Sequence, residues 1–199
     1  MKITVYTLPY ELANEAKKIN KLFKAGLEEL HLRKPSIKKD KYIQILEAVE
    51  EKYHSRIVIH DYIDLAIKYK VRGIHTSPTF FKGVFGLCRK RRYHSLDNFV
   101  ISTSVQKVKD IIAIDPIFNR VFLGPVYNMY NVGNVKINFD SFQVKKDLQS
   151  ATMEVFAMGG IDLKNQEKIK GLGFDGFVLQ SAIWKSGDYL AAFNSFHLN

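Results

Sequence analysis

The chain has 199 residues, 46% of them hydrophobic and 25% charged, with 12 glycines, 5 prolines and one cysteine. That composition excludes disordered, collagen-like and low-complexity proteins, and a lone Cys88 excludes a disulfide scaffold and a multi-cysteine zinc site. Thirty basic against twenty acidic residues leave a net charge of +10, which suits either a nucleic-acid or membrane surface or a basic cleft for a small phosphorylated substrate.

Short β-rich runs alternate with helical stretches along the whole chain. Residues 3–7 are β-branched and aromatic, a strand signal. Leu12, Ala16, Ile19 and Phe23 then fall at helical spacing, closed by Ala25-Gly26. Residues 29–33 read as a second strand and 39–52 as a helix with Tyr42, Ile45, Leu46 and Val49 on one face. Strands follow at 56–60, 73–76, 99–103, 121–124, 155–158 and 176–179. Helices are expected at 63–70, 105–113, 139–148, 163–171 and 189–196. Residues 77–98, basic and aromatic, have no clear period, so the fourth unit is expected to be irregular or only partly helical.

Eight strands, each followed by a helix or a helix-sized insert, mean βαβ units and a parallel sheet. The expected fold is one small (β/α)8 TIM barrel over residues 1–199. A doubly wound open sheet would show a glycine-rich first turn, and here that turn is Thr7-Leu8-Pro9-Tyr10. No apolar run reaches the ~18 residues of a membrane span. Glu11 comes early and no apolar leader precedes it, so a cytoplasmic placement is expected.

In a barrel of this kind the chemistry sits where strands end in βα loops. Polar candidates there are His31, Arg33 and Lys34 after strand 2, and His60 and Asp61 after strand 3. Strand 4 offers His75, Thr76 and Ser77, and strand 5 offers Ser102, Ser104 and Gln106. Tyr127, Asn128, Asn131 and Lys136 follow strand 6, Gly159-Gly160 strand 7, and Gln180-Ser181-Ala182 strand 8. Glycines at 159 and 160 let backbone N–H groups approach a ligand, and a helix opening at Ser181-Ala182 attracts an anion, together the form of a barrel phosphate site. The alternative for Gly159-Gly160 is a tight turn. Arg33 offers bidentate hydrogen bonds to phosphate, or a surface salt bridge. Asp61 suits a metal or the cap of the following helix. His60 and His75 suit acid–base work or a structural hydrogen bond. Arg89-Lys90-Arg91-Arg92 is either a solvated face or a nucleic-acid patch, and nucleic acid is the less expected partner.

These strand-end residues resemble, over roughly residues 1–185, the thiamine phosphate synthase family and its sister group, the thiazole tautomerases. His31-Leu32-Arg33-Lys34-Pro35 resembles a Gln-Leu-Arg-x-Lys segment, and Ile57 through Ala66 an Ile-Ile-Asn-Asp-x-x-Asp-Leu-Ala segment. Gly73-Ile74-His75 is similar to Gly-Val-His, and Ser104 falls at the Ser of Gly-Val-Ser. Phe122 through Tyr127 resembles Gly-Leu-Gly-Pro-Val-Phe. Ala157 through Ile161, Gly173 through Gly176 and Ser181-Ala182-Ile183 complete the set.

The resemblance implies that a pyrimidine diphosphate and a thiazole phosphate are joined into thiamine phosphate with release of pyrophosphate, Mg²⁺ holding the diphosphate. Asp61 would be the metal ligand, Arg33 and Ser104 would contact the diphosphate, and Gly160 and Ser181 with nearby N–H groups would hold the thiazole phosphate. His60 stands at the Asn before the metal Asp and is a further catalytic candidate. His31, Lys34, Lys136, Gly159 and Ala182 are the remaining substrate-binding candidates, Lys136 being nearest to the family's Lys after strand 6. Pro35 replaces the Lys after strand 2, and residues 77–84 hold no acid where a second metal Asp is expected. One carboxylate in place of two should weaken Mg²⁺ binding. Gln106 stands where the tautomerases carry a catalytic His, and an amide shuttles no proton at neutral pH. A non-catalytic thiazole or thiamine phosphate binder and a tautomerase-like enzyme are the alternatives, and a homodimer is one assembly the sequence allows.

Overall fold

A computed structural model of the chain describes residues 1–94, 96–127 and 140–197. Its strands are β1 (Lys2–Tyr6), β2 (Glu29–Leu32), β3 (Ile57–Ile59), β4 (Gly73–His75), β5 (Val100–Val105), β6 (Arg120–Leu123), β7 (Glu154–Ala157) and β8 (Gly176–Leu179). They lie in sequence order and the sheet closes as a barrel, with parallel pairing that sets, for example, Val5 beside Leu30, His31 beside Val58 and Phe122 beside Phe156. The helices are α1 (Glu15–Lys24), α2 (Lys39–Ala48), α3 (Leu65–Lys68), α4 (Val84–His94), α5 (Ser141–Ser150), α6 (Gln166–Leu172), α7 (Ser181–Trp184) and α8 (Tyr189–His197). This is the (β/α)8 fold that the alternation of elements predicts. None of these helices is long and apolar enough to cross a membrane.

The strands are short and covered on both faces: all four residues of β2, β6 and β8 are buried, including Glu29 and His31 of β2 and Arg120 of β6. By contacts the chain forms two compact units, Lys2–Ile74 with Val178–Asn199, and His75–Phe177. In the first, Ile19, Leu22 and Phe23 of α1 and Tyr42, Ile45 and Leu46 of α2 supply the buried helical faces. In the second, Val144 of α5 and Ile169 and Leu172 of α6 do so.

One local expectation shifts, and the fourth unit is partly helical as expected. β5 runs on to Val105, paired with Leu123, and the helix expected at 105–113 is a 3₁₀ turn at Val108–Ala113. Only a few residues remain before Asp115-Pro116, and β-branched Val108, Ile111 and Ile112 disfavour a longer α-helix. The fourth unit is irregular up to Gly83 and then helical in α4. There Gly86 is held against the chain: a Cβ at that position would collide with the Phe81 carbonyl oxygen.

Candidate active site

In the unit Lys2–Ile74 with Val178–Asn199, β2 carries a buried polar chain. Glu29 and His31, two residues apart on one strand, point the same way. The Glu29 carboxylate lies 3.2 Å from His31 Nε2 and accepts a hydrogen bond from Thr4 Oγ1 at 3.2 Å. Arg72 Nε lies 3.8 Å from the other carboxylate oxygen. His31 Nδ1 meets His60 Nε2 at 2.8 Å. Tyr6 stacks on His31 at 4.6 Å and meets His60 edge-on at 5.1 Å. His31 is completely buried and His60 half-buried. Of the pair, His60 is therefore the more accessible, and His31 is its buried partner.

Arg33 and Lys34 are neighbours with opposite fates. The Thr7 hydroxyl accepts the Arg33 N–H at 2.9 Å and donates to its carbonyl at 3.1 Å, which fixes this backbone. The Arg33 side chain is exposed, and among the described residues no carboxylate is within ion-pair distance of it. The salt-bridge reading of Arg33 is therefore not what the structure shows. Lys34 turns inward and is fully buried. Its ammonium donates to Glu15 Oε1 at 2.6 Å, the Leu8 carbonyl at 2.8 Å and the Tyr10 carbonyl at 2.7 Å. All three ammonium hydrogens are spent inside the protein, so Lys34 ties down the β1–α1 loop and is no phosphate ligand here. Burial pushes Glu15 above its ordinary value and Lys34 below its own, while the hydrogen bond and charge between them oppose both shifts.

Asp61 follows β3 and is half-buried. Its Oδ2 accepts the Lys34 backbone N–H at 2.6 Å. The following helix starts at Leu65 with Asp64 at its N-cap, so Asp61 caps nothing. Ser181 and Ala182 open α7, and the entry to that helix is fixed by Gln180 Nε2 on the Thr7 carbonyl at 2.9 Å and Trp184 Nε1 on the Tyr6 carbonyl at 2.7 Å.

In the unit His75–Phe177 an imidazole and two hydroxyls meet at the strand ends. His75 Nδ1 lies 3.0 Å from Ser102 Oγ, and Ser104 Oγ lies 3.0 Å from His75 Nε2. The Thr76 N–H donates to the Ser102 carbonyl at 2.9 Å, and the His75 ring tilts against Phe122 at 5.5 Å. After β7, Gly159 and Gly160 adopt φ of +95° and +71°. A Cβ on Gly159 would meet Pro125 Cβ at 2.8 Å, and one on Gly160 would meet Tyr127 Cβ at 2.7 Å. The Val126 and Tyr127 N–H groups donate to the Met158 and Gly159 carbonyls at 2.8 and 3.2 Å. Asn165 Nδ2 donates to the Gly160 carbonyl at 2.8 Å. The tight-turn reading of these glycines thus has a steric basis in the segment after β6. Asn128, Asn131 and Lys136 lie outside the described residues.

The basic cluster lies elsewhere in this unit. Arg89 donates to the Phe80 carbonyl at 2.9 Å with its guanidinium 4.5 Å from that ring, and Lys90 pairs with Asp115. A cavity of about 790 Å³ is lined by Leu87, Cys88, Lys90, Arg91, Asp115, Pro116 and Ile117, and the last three precede β6, away from its carboxyl end.

Sequence reasoning passed over Glu29, Glu15 and Thr7. Glu29 had a visible signal, its two-residue spacing from His31 on a strand. Glu15 and Thr7 act over 19 and 26 residues and had none.

Residues 4–183 match the family model described as thiamine monophosphate synthase. A curated relative, the thiamine-phosphate synthase of Clostridium novyi, is 27% identical over 173 residues, 85% of this chain and 82% of that one. Among solved structures, a thiamine phosphate pyrophosphorylase from Bacteroides thetaiotaomicron superposes with a TM-score of 0.77 at 27% identity, over 98% of this chain and 94% of the other. The thiamine phosphate pyrophosphorylase of Pyrococcus furiosus has a TM-score of 0.77 at 16% identity, over 99% and 94%, a likeness of fold.

Proposed function

The chain belongs to the thiamine monophosphate synthase family, and on that premise we propose that it joins hydroxymethylpyrimidine diphosphate to thiazole phosphate, giving thiamine phosphate and pyrophosphate. The C–O bond between the pyrimidine methylene and the diphosphate breaks, and its electron pair leaves with the diphosphate. The thiazole ring nitrogen supplies the pair for the new C–N bond. No proton changes hands, so Gln106 in place of an acid–base histidine is no obstacle.

The demand on the protein is to stabilise the negative charge that develops on the leaving group. The observation that carries this reading is Arg33, exposed at the end of β2 on a backbone clamped by Thr7, with no carboxylate paired to it among the described residues. Its guanidinium and the Ser104 hydroxyl are assigned to the diphosphate. His60, backed by His31 and Glu29, supplies a further polar contact. Gly159, Gly160, Ser181 and Ala182 are assigned to the thiazole phosphate, with Lys136 as its cation.

Asp61 fits Mg²⁺ as a hard oxygen donor. One of its oxygens is taken by the Lys34 N–H, and no second carboxylate follows β4 in residues 77–84. Such a donor set suits an ion completed by substrate phosphates and water. When bound there, Mg²⁺ would supply positive charge to the diphosphate.

The test is to incubate the protein with both substrates and Mg²⁺ and follow thiamine phosphate and pyrophosphate together. Equal amounts of the two products support the proposal. No turnover, with thiamine phosphate still raising the melting temperature, would reassign the chain as a phosphate-binding barrel.

A further inference from the structure

His75 bridges two serines of the same strand. Ser102 and Ser104 are two residues apart on β5 and present their hydroxyls to opposite nitrogens of one imidazole, each at 3.0 Å. Ser102 is completely buried, whereas Ser104 is half-buried. In the sequence pattern, Ser102 stands where the matching Gly-Val-Ser segment has a glycine without a hydroxyl. The ring has little room to turn, because the Thr76 N–H to the Ser102 carbonyl fixes the end of β4 against β5 and Phe122 abuts the ring.

A neutral imidazole has one N–H donor and one lone-pair acceptor, so a chain of hydroxyl, imidazole and hydroxyl runs in one direction or the other. If Ser102 Oγ–H donates to Nδ1, then Nε2–H donates to Ser104 Oγ, and the Ser104 hydrogen is left to point at a ligand oxygen. If the chain runs the other way, the Ser104 hydrogen is spent on Nε2 and the hydroxyl meets an anion with lone pairs only. A hydroxyl that donates to an anion makes a charge-assisted bond, whereas one that faces it with lone pairs repels it.

We propose that Ser102 is a positioning residue: it holds His75 in the Nε2–H tautomer, and His75 thereby turns the Ser104 hydroxyl into a hydrogen-bond donor for the diphosphate. Ser102 touches no substrate and acts through the ring. The inference rests on the reading of Ser104 as a diphosphate contact. On the neighbouring strand β6 the charged group beside Ser102 is Arg120, paired with Glu154.

The test uses the full chain, inorganic pyrophosphate as the probe and a fixed Mg²⁺ concentration. Nitrogen-15 NMR of the His75 ring at pH 8 should show hydrogen on Nε2 and none on Nδ1. Ser102→Ala should lose that tautomer preference and weaken pyrophosphate about tenfold, the scale of one hydrogen bond to a charged group. His75→Ala should weaken it similarly, and adding Ser102→Ala to that variant should change nothing more. A wild-type ring protonated on Nδ1, an unchanged pyrophosphate affinity in Ser102→Ala, or additive losses in the double variant would each overturn the proposal. Should Ser102→Ala fail to fold, the wild-type ring spectrum decides alone. Coupled pyrophosphate binding without any thiamine phosphate formation would defeat the synthase reading and leave this inference standing.

Discussion

At the end of β2 the chain takes an ion pair into its interior, and on β5 it buries a hydroxyl against an imidazole. Lys34 and Glu15 form a buried ion pair whose remaining donors go to the Leu8 and Tyr10 carbonyls, and Glu29 lies buried against His31. Ser102, by contrast, is a buried hydroxyl on an imidazole. Buried charges are committed, since removing one partner leaves the other desolvated and unpaired. A neutral hydroxyl–imidazole chain can change direction at little cost. The first region is therefore scaffold for Arg33 and Asp61, and the second is the one whose hydrogen bonds can be rearranged.

The largest effect is expected from Lys34→Met. It should cost about 3–5 kcal/mol, because Glu15 is left as an unpaired buried carboxylate. Glu15→Met with Lys34→Met should recover most of that loss, measured by chemical denaturation. A double variant no better than the single one would mean that Lys34 acts through the Leu8 and Tyr10 carbonyls rather than through charge.

Gly160→Ala comes next. Its φ of +71° and the 2.7 Å approach to Tyr127 Cβ should together cost roughly 1–3 kcal/mol. Thermal unfolding would check this, and a variant as stable as wild type would show that the turn yields.

Smaller still is Asp115→Asn. Burial pushes the Asp115 carboxyl up, but the Lys90 hydrogen bond and charge and the Ile117 N–H outweigh it and hold the group below its ordinary 3.8. A depressed carboxyl contributes stability above pH 3.8 that is lost as pH falls through the lower folded value. The pair is a third exposed, so wild type should exceed the variant by no more than about 1 kcal/mol at pH 7. That gap should close in acid below 3.8, and a gap that widens there would contradict the assignment.

The barrel was legible because its signals are local. β-branched runs of three to six residues recur between helical patches, and strand ends follow from them. Arg33, Asp61 and Ser104 were legible as strand-end residues for the same reason. Lys34 was not, since nothing near it in sequence shows that Glu15 waits 19 residues earlier to take its ammonium inside. The glycine pair was legible as a turn, while its cause, the press of Pro125 and Tyr127, is tertiary. The bridge from Ser102 through His75 to Ser104 needed the register of β4 against β5, which only the folded chain supplies.

A single carboxylate, Asp61, is proposed to suffice for a synthase whose metal is completed by its substrate. The most direct test is a Mg²⁺ titration of thiamine phosphate formation at fixed substrate concentrations, run on wild type and on Asp61→Ala. The rate should rise with Mg²⁺ and saturate in wild type, and turnover should be lost in Asp61→Ala at every Mg²⁺ concentration. Turnover indifferent to Mg²⁺, or surviving in Asp61→Ala, would contradict that proposal.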